Sequence, residues 1–164
     1  MIKQLLDSDT CLKCRGCCRF SAADSVWTPL LSLGEQQILC AVCPGAPEMI
    51  KDGRLTTVPA EEGAIHYCVL FSPSANTCRC YEQRPLECRL YPFLINSIDG
   101  KAFLSVDMNC PFAWEHSGDG VFKEYAAYLA EYLNSAPLLE LLRAEKRLLQ
   151  SYPGRMPELA EIRI

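Results

Sequence analysis

Cysteine sets the terms on which this chain can fold. Eleven of its 164 residues are cysteine, at positions 11, 14, 17, 18, 40, 43, 68, 78, 80, 88 and 110. An odd number of thiols cannot all pair within one chain, and such density belongs either to a disulfide-stapled secreted domain or to thiolate ligation of metal. Hydrophobic residues make up 49% of the chain, enough to bury an ordinary core without staples. The first ten residues, MIKQLLDSDT, hold no apolar run, so no secretory signal is read. A cytoplasmic location is therefore expected, and in that reducing compartment metal ligation is the better reading of the cysteines.

Other partners are disfavoured by composition. The formal net charge of −4 and a pI near 5.2 leave no basic surplus to neutralise a phosphate backbone, so nucleic acid is not expected. No stretch approaches the roughly 18 apolar residues of a membrane span, so no membrane partner is expected either.

Spacing sharpens the metal reading. Cys11, Cys14, Cys17 and Cys18 fall within eight residues as CLKCRGCC. A two-residue gap lets the chain fold back so that two sulfurs reach one ion at ~2.3 Å, with the intervening amides free to bond the thiolates. Gly16 eases the turn, and Lys13, Arg15 and Arg19 offset thiolate charge. Adjacent Cys17 and Cys18 are expected to point apart and to serve different metals or different edges of one cluster. The remaining thiols arrive from a distance: Cys68 ends a predicted strand, Cys78 and Cys80 flank Arg79, Cys88 follows Arg84-Pro85, and Cys110 precedes Pro111. One zinc ion takes four ligands, so these thiols imply two four-ligand sites or a polynuclear cluster. The run Cys11-x2-Cys14-x2-Cys17 with a remote Cys110-Pro111 is also similar to bacterial ferredoxin spacing, which holds iron–sulfur. Zinc, iron and a 4Fe-4S cluster are the cofactors in view.

The local patterns predict an α+β fold. Residues 1–20 read as a ligand-rich loop. Ser32 and Glu35 form a capping box ahead of a helix over 33–43, which Pro44-Gly45-Ala46-Pro47 ends. Leu55–Val58 and Ile65–Phe71 read as short strands. FLINSI and KAFLSV, joined through Asp99-Gly100, read as a β-hairpin because that pair tolerates the positive φ of a tight turn. Apolar residues recur at helical spacing over 121–134 and 137–150, and Gly154-Arg155-Met156-Pro157 begins a loose tail. The expected organisation is a small irregular metal-organised domain over 1–116 and a helical extension over 117–164, packed on the same domain and offering a docking surface for a protein partner.

At the level of whole motifs the chain resembles the YkgJ-like cysteine-cluster family, whose signature is CxxCxxCC and whose members are described as zinc- or iron-chelating domains. The resemblance rests on CLKCRGCC, on CVLF at 68–71, on CRCYEQRPLECRLYPF at 78–93 and on CP at 110–111, and it covers 11–112. It implies metal ligation by Cys11, Cys14, Cys17, Cys18, Cys68, Cys78, Cys88 and Cys110. Flagellin lysine methylases carry a similar cluster, so a cluster-bearing enzyme or enzyme subunit, related to protein-lysine methylation, is the alternative to a metal-binding module. A disulfide-stabilised interaction protein ranks third.

Cys40, Cys43 and Cys80 are additions to that pattern. Cys80 reads as a small buried apolar side chain, while Cys40 and Cys43 share a helix face and either complete a site or pack. Tyr81, Glu82, Arg84 and Arg89 are candidates for the shell around the ligands: the arginines would donate to thiolates or to an anion, with Glu82 holding one in place. A buried ion pair that pins the Cys88 loop is the competing reading. His66 and His116 have no partner spacing and read as structural. Phosphate-cradling glycine motifs, HExxH, GxSxG and the radical-type CxxxCxxC signature are all missing, so nothing supports catalysis directly.

Overall fold

The computed structural model describes residues 2–5, 16–61, 63–154 and 156–164. Helices mix with several small antiparallel sheets, an α+β architecture. The chain forms two compact units, Met1–Arg89 and Leu90–Ile164. The hairpin and Cys110 belong to the second, together with the C-terminal helices.

In the first unit short strands carry the thiols. β1 (Arg19–Phe20), β4 (Thr57–Pro59) and β5 (His66–Cys68) form a sheet with β5 in the middle. Helix α1 (Leu33–Val42) starts at the predicted capping box: Glu35 N–H donates to Ser32 Oγ at 3.2 Å while the Glu35 carboxylate accepts from Ser32 N at 2.9 Å. It ends where Cys43 caps it, and Gly45, at φ 77, turns the chain into a 3-10 helix over Ala46–Met49. β2 (Ile50–Lys51) and β3 (Arg54–Leu55) then pair around Asp52-Gly53, with φ of 51 and 76. Sequence reasoning misses this hairpin, because two-residue strands are too short to show alternation. β6 (Phe71–Ser72) and β7 (Thr77–Cys78) make another small ribbon, and α2 (Leu86–Leu90) carries Cys88. The core of this unit gathers Phe20, Leu31, Leu39, Leu55, Leu70 and Phe71, all buried.

The second unit is built on the expected hairpin. β8 (Phe93–Ile98) and β9 (Lys101–Val106) pair in register through Asp99 and Gly100, at φ 50 and 80. α3 (Pro111–His116) follows, then α4 (Gly120–Leu133) and α5 (Ala136–Ala144). α4 packs its buried Phe122 ring 4.9 Å from that of Phe93. α5 is shorter than the apolar spacing predicts: it stops at Ala144, and Lys146–Leu148 is a 3-10 turn that tucks Leu148 into the core. Helical spacing of leucines persists in such a turn, which explains the over-extension.

The loose tail is corrected outright. Glu158–Ile162 is a strand, β10, paired antiparallel with β9, so that β9 is central in the order β10-β9-β8. Free backbone groups along one edge of β9 supply the pairing, which no local pattern announces. Asn134 secures it, donating to Glu161 O at 3.1 Å and accepting from Arg163 N at 2.9 Å. Ile162 is 2% exposed and Leu159 is 41% exposed. Ile162→Ala should therefore destabilise the protein by about 2–5 kcal/mol in denaturant unfolding, whereas Leu159→Ala should change it by less than about 0.5 kcal/mol. Equal, small effects would mean that the tail is loose after all.

Candidate functional site

Five of the eight cysteines singled out by the motifs, Cys17, Cys18, Cys68, Cys78 and Cys88, belong to the first unit and are described. Cys11 and Cys14 lie outside the described residues, as do Lys13 and Arg15. Cys110 belongs to the second unit, where it is buried and N-caps α3 ahead of Pro111.

The five thiols are placed by four short elements. Cys17 and Cys18 sit in a turn closed by the Arg19 N–H to Gly16 O bond of 3.0 Å. Cys68 ends β5, and its N–H donates to Cys18 O at 3.0 Å, which fastens the turn to the strand. Cys78 ends β7, and Cys88 rides on α2. All nine described cysteines are thiols.

Their electrostatics show that they share one neighbourhood. The Cys17 thiol, on a residue exposed at the surface, is pushed well above its usual pKa first by its hydrogen bond with Cys18. The two side chains therefore meet instead of pointing apart: neighbours diverge on an extended strand, but here the chain turns. Burial pushes Cys68 up to about 12, with smaller contributions from Cys78 and Cys17. Burial also raises Cys88 well above the normal range, reinforced by Cys68, Cys17 and Cys78. Cys78 is raised by burial as well.

Opposing groups favour the thiolate. The amides of Leu70 and Phe71 bond the Cys68 sulfur, and the Cys80 amide bonds that of Cys78; each lowers the pKa of its sulfur. A neutral thiol is a weak acceptor, so amides directed at sulfur are best matched to a charged or metal-bound one. Arg84 supplies positive charge to Cys17 and Cys78. Its guanidinium lies 3.6 Å from the centre of the Tyr81 ring, with Nε donating to Tyr81 O at 2.9 Å and Nη2 to Gln4 Oε1 at 3.4 Å.

The other charges differ from expectation. Glu82 is exposed and makes no ion pair among the described residues; Arg84 is held by stacking and by backbone, so the carboxylate has no clamp to provide. Arg89 is paired instead with Glu35 of α1, at 3.4 Å. Arg19 turns to the aromatic side, 4.6 Å from the Phe71 ring centre, and donates to Asn76 Oδ1.

The three additional cysteines separate. Cys40 is exposed on α1, whereas Cys43 and Cys80 are buried in the apolar core. Cys80 is pushed up to about 12, first by burial and then by its hydrogen bond with Cys43. Cys80 thus packs as a small apolar side chain, and Cys43 with it. His116 pairs with Asp119 at 2.8 Å in the second unit. His66, half-buried on β5, has a buried Nδ1 with no hydrogen-bond partner among the described residues, a feature that sequence spacing cannot reveal.

Among the described residues no three Cys, His, Asp or Glu side chains stand at the spacing that holds a metal ion. The donor chemistry suits a thiophilic metal: soft sulfurs, amides directed at them and a nearby guanidinium. No family model, curated protein or solved structure matches the chain.

A pH dependence follows for the metal-free, reduced protein. Cys68 titrates near 12 in the fold, against roughly 8.5 when unfolded. A raised thiol pKa favours the protonated native state, so its stabilisation is complete below about pH 8.5 and is lost as pH rises toward 12. The melting temperature should fall between about pH 8.5 and 10.5, and Cys68→Ala should flatten that fall; an unchanged slope in the variant would rule Cys68 out as its source.

Proposed function

We propose that the chain is a metal-binding protein that holds zinc, iron or an iron–sulfur cluster through thiolates of its first unit. The observation that carries this reading is the gathering of Cys17, Cys18, Cys68, Cys78 and Cys88 from separate elements into one electrostatic neighbourhood. Cys11 and Cys14 extend the set through the CxxCxxCC motif, and Cys110 enters through the resemblance to the YkgJ-like family.

Bound metal would supply either a structural crosslink or, as a cluster, an electron-carrying centre. The chain's own residues prepare for it. The amides of Leu70, Phe71 and Cys80 hold the sulfurs of Cys68 and Cys78 in orientation. Arg84 offsets negative charge beside Cys17 and Cys78. Burial keeps Cys68 and Cys88 protonated until a cation takes the place of the proton, so loading releases protons. Among the described residues no helix is long and apolar enough to cross a membrane, and a reducing cytoplasm would keep such thiols available.

Anaerobically purified protein should contain at least about one zinc or iron per chain, the minimum for a site of this kind. Cys14→Ser and Cys68→Ser should lower that content sharply, because an incomplete thiolate set loses both metal and stability. Cys40→Ala should leave it intact, and Cys110→Ser measures the part of that thiol separately. Metal-free protein that stays folded with free thiols would sink the reading.

Arg84 gives a further check. Arg84→Lys keeps the charge but loses the fork that bonds Tyr81 O and stacks on its ring, so metal affinity should fall roughly 10-fold in a competition titration. Glu82→Gln should leave affinity and melting unchanged. The reverse pattern would return the clamp to Glu82.

A further inference from the structure

We infer that Cys43 and Cys80 form an oxidation site, at which peroxide joins the two sulfurs in a disulfide that ties the end of α1 to the turn following Cys78. The inference goes beyond the metal reading, since neither thiol belongs to the proposed ligand set. Both lie in one apolar core, on residues 8% and 7% exposed, and their side chains are hydrogen-bonded to each other. Cys43 caps the C-terminal end of α1, and Cys80 caps the start of a 3-10 helix over Tyr81–Gln83 that packs against α1. The fold thus brings two thiols from distant parts of the sequence into direct contact.

Backbone bonds hold the pair in place. Cys43 N–H donates to Leu39 O at 2.9 Å, and its carbonyl accepts from Ala46 N at 3.1 Å. The Cys80 carbonyl accepts from Gln83 N at 3.1 Å. Closing the contact to the ~2.05 Å of an S–S bond is therefore a movement of side chains about a backbone already fixed. It removes two hydrogen atoms and no heavy atom, so a close-packed core receives the disulfide with little change in volume. The neighbouring thiols have other places: Cys40 is exposed on α1, and the Cys78 sulfur takes the Cys80 amide.

So little open surface calls for a small oxidant, and hydrogen peroxide is small enough. One sulfur of the pair attacks the O–O bond, becomes a sulfenic acid and releases water. The second sulfur displaces that oxygen as another water, and the S–S bond forms. Two thiols together lose two electrons and two protons, and the peroxide takes up both to leave as two waters. In a reducing compartment such a link is transient and redox-sensing. Its effect on the fold is to close a loop of roughly 40 residues, which restricts the unfolded chain and so stabilises the first unit. Because the Cys80 amide bonds the Cys78 sulfur, the staple also anchors a backbone group beside the thiolate set.

The test uses the full chain, purified anaerobically and reduced, as wild type and as Cys40→Ala, which removes an exposed competitor. Each is treated with a small excess of hydrogen peroxide, the remaining thiols are alkylated in denaturant, and linkages are mapped by tandem mass spectrometry. Cys43 and Cys80 should be recovered joined to each other in both proteins. Peroxide should raise the melting temperature by roughly 5–15 °C relative to Cys43→Ala treated in the same way, and reduction should reverse the gain. Recovery of Cys43 and Cys80 as free thiols, or linked to Cys40, Cys78 or any other cysteine, would overturn the inference. An equal response in Cys43→Ala would do the same. Should Cys43→Ala fail to fold, the linkage maps of wild type and Cys40→Ala decide alone. Metal content is counted separately, so failure here leaves the thiolate reading intact.

Discussion

The carboxylate of Glu35 joins parts of the first unit that the sequence keeps far apart. One oxygen caps α1 by accepting from Ser32 N and Oγ, at 2.9 and 3.0 Å. The other accepts from Leu86 N at 2.6 Å, at the start of α2, and from Arg89 Nη2 at 3.4 Å. Glu87 returns the tie, accepting from Leu30 N at 2.8 Å. Charged acceptors on backbone N–H groups are stronger than neutral ones, and an acidic group beside a helix's first amides is favoured twice over. Two carboxylates thus bind the segment before α1 to the helix that carries Cys88, without spending any apolar surface. The position of that thiol depends on them.

Around this frame, the thiols stand between two opposed tendencies. The hydrogen bond with Cys18 holds Cys17 protonated and burial does the same for Cys68, Cys78 and Cys88, while amides at Cys68 and Cys78 and the Arg84 guanidinium near Cys17 and Cys78 favour the charged form. In the metal-free protein the first tendency wins. A site with this balance has little free thiolate at neutral pH and is protected from adventitious chemistry, since the thiolate is the reactive species. Cys43 and Cys80 mark the limit of the pattern: Cys80 too is raised by burial and bonds Cys43, but both sit within the apolar core among Leu39, Leu55 and Leu70.

Much of the fold was legible where local chemistry decides it. Ser32 and Glu35 announce a helix start, and Asp99-Gly100 between two apolar runs announces a hairpin; both involve residues close in sequence. What could not be read depends on distant partners. The ELAEI segment becomes a strand because β9 offers an open edge. Glu35 reads as a capping residue, and its second task at Leu86 and Arg89 lies 51 and 54 positions away. The motif resemblance singled out Cys17, Cys18, Cys68, Cys78 and Cys88 among its eight cysteines, but nothing in the sequence announces the contact of Cys17 with Cys18, since that depends on how the turn curls. Nor could spacing foretell that Cys40 and Cys43, on one helix, would end in different surroundings.

The second unit also shows how its sheet is finished at the sides. A strand at a sheet's border presents unpaired amides and carbonyls that can recruit another chain. Along β8 those groups are taken up by the segment after α5: Ser97 N donates to Gln150 O at 2.9 Å, Ser151 Oγ to Ser97 O at 2.6 Å, and Tyr152 N to Asn96 Oδ1 at 3.1 Å. Along β10 the register slips between Glu158 and Ala160, and Glu161 pairs with Lys101 at 3.5 Å. An irregular, charged rim of this kind templates further strands poorly. The arrangement guards against fibrous self-association of an otherwise apolar hairpin, and it does so with residues that contribute little to the core.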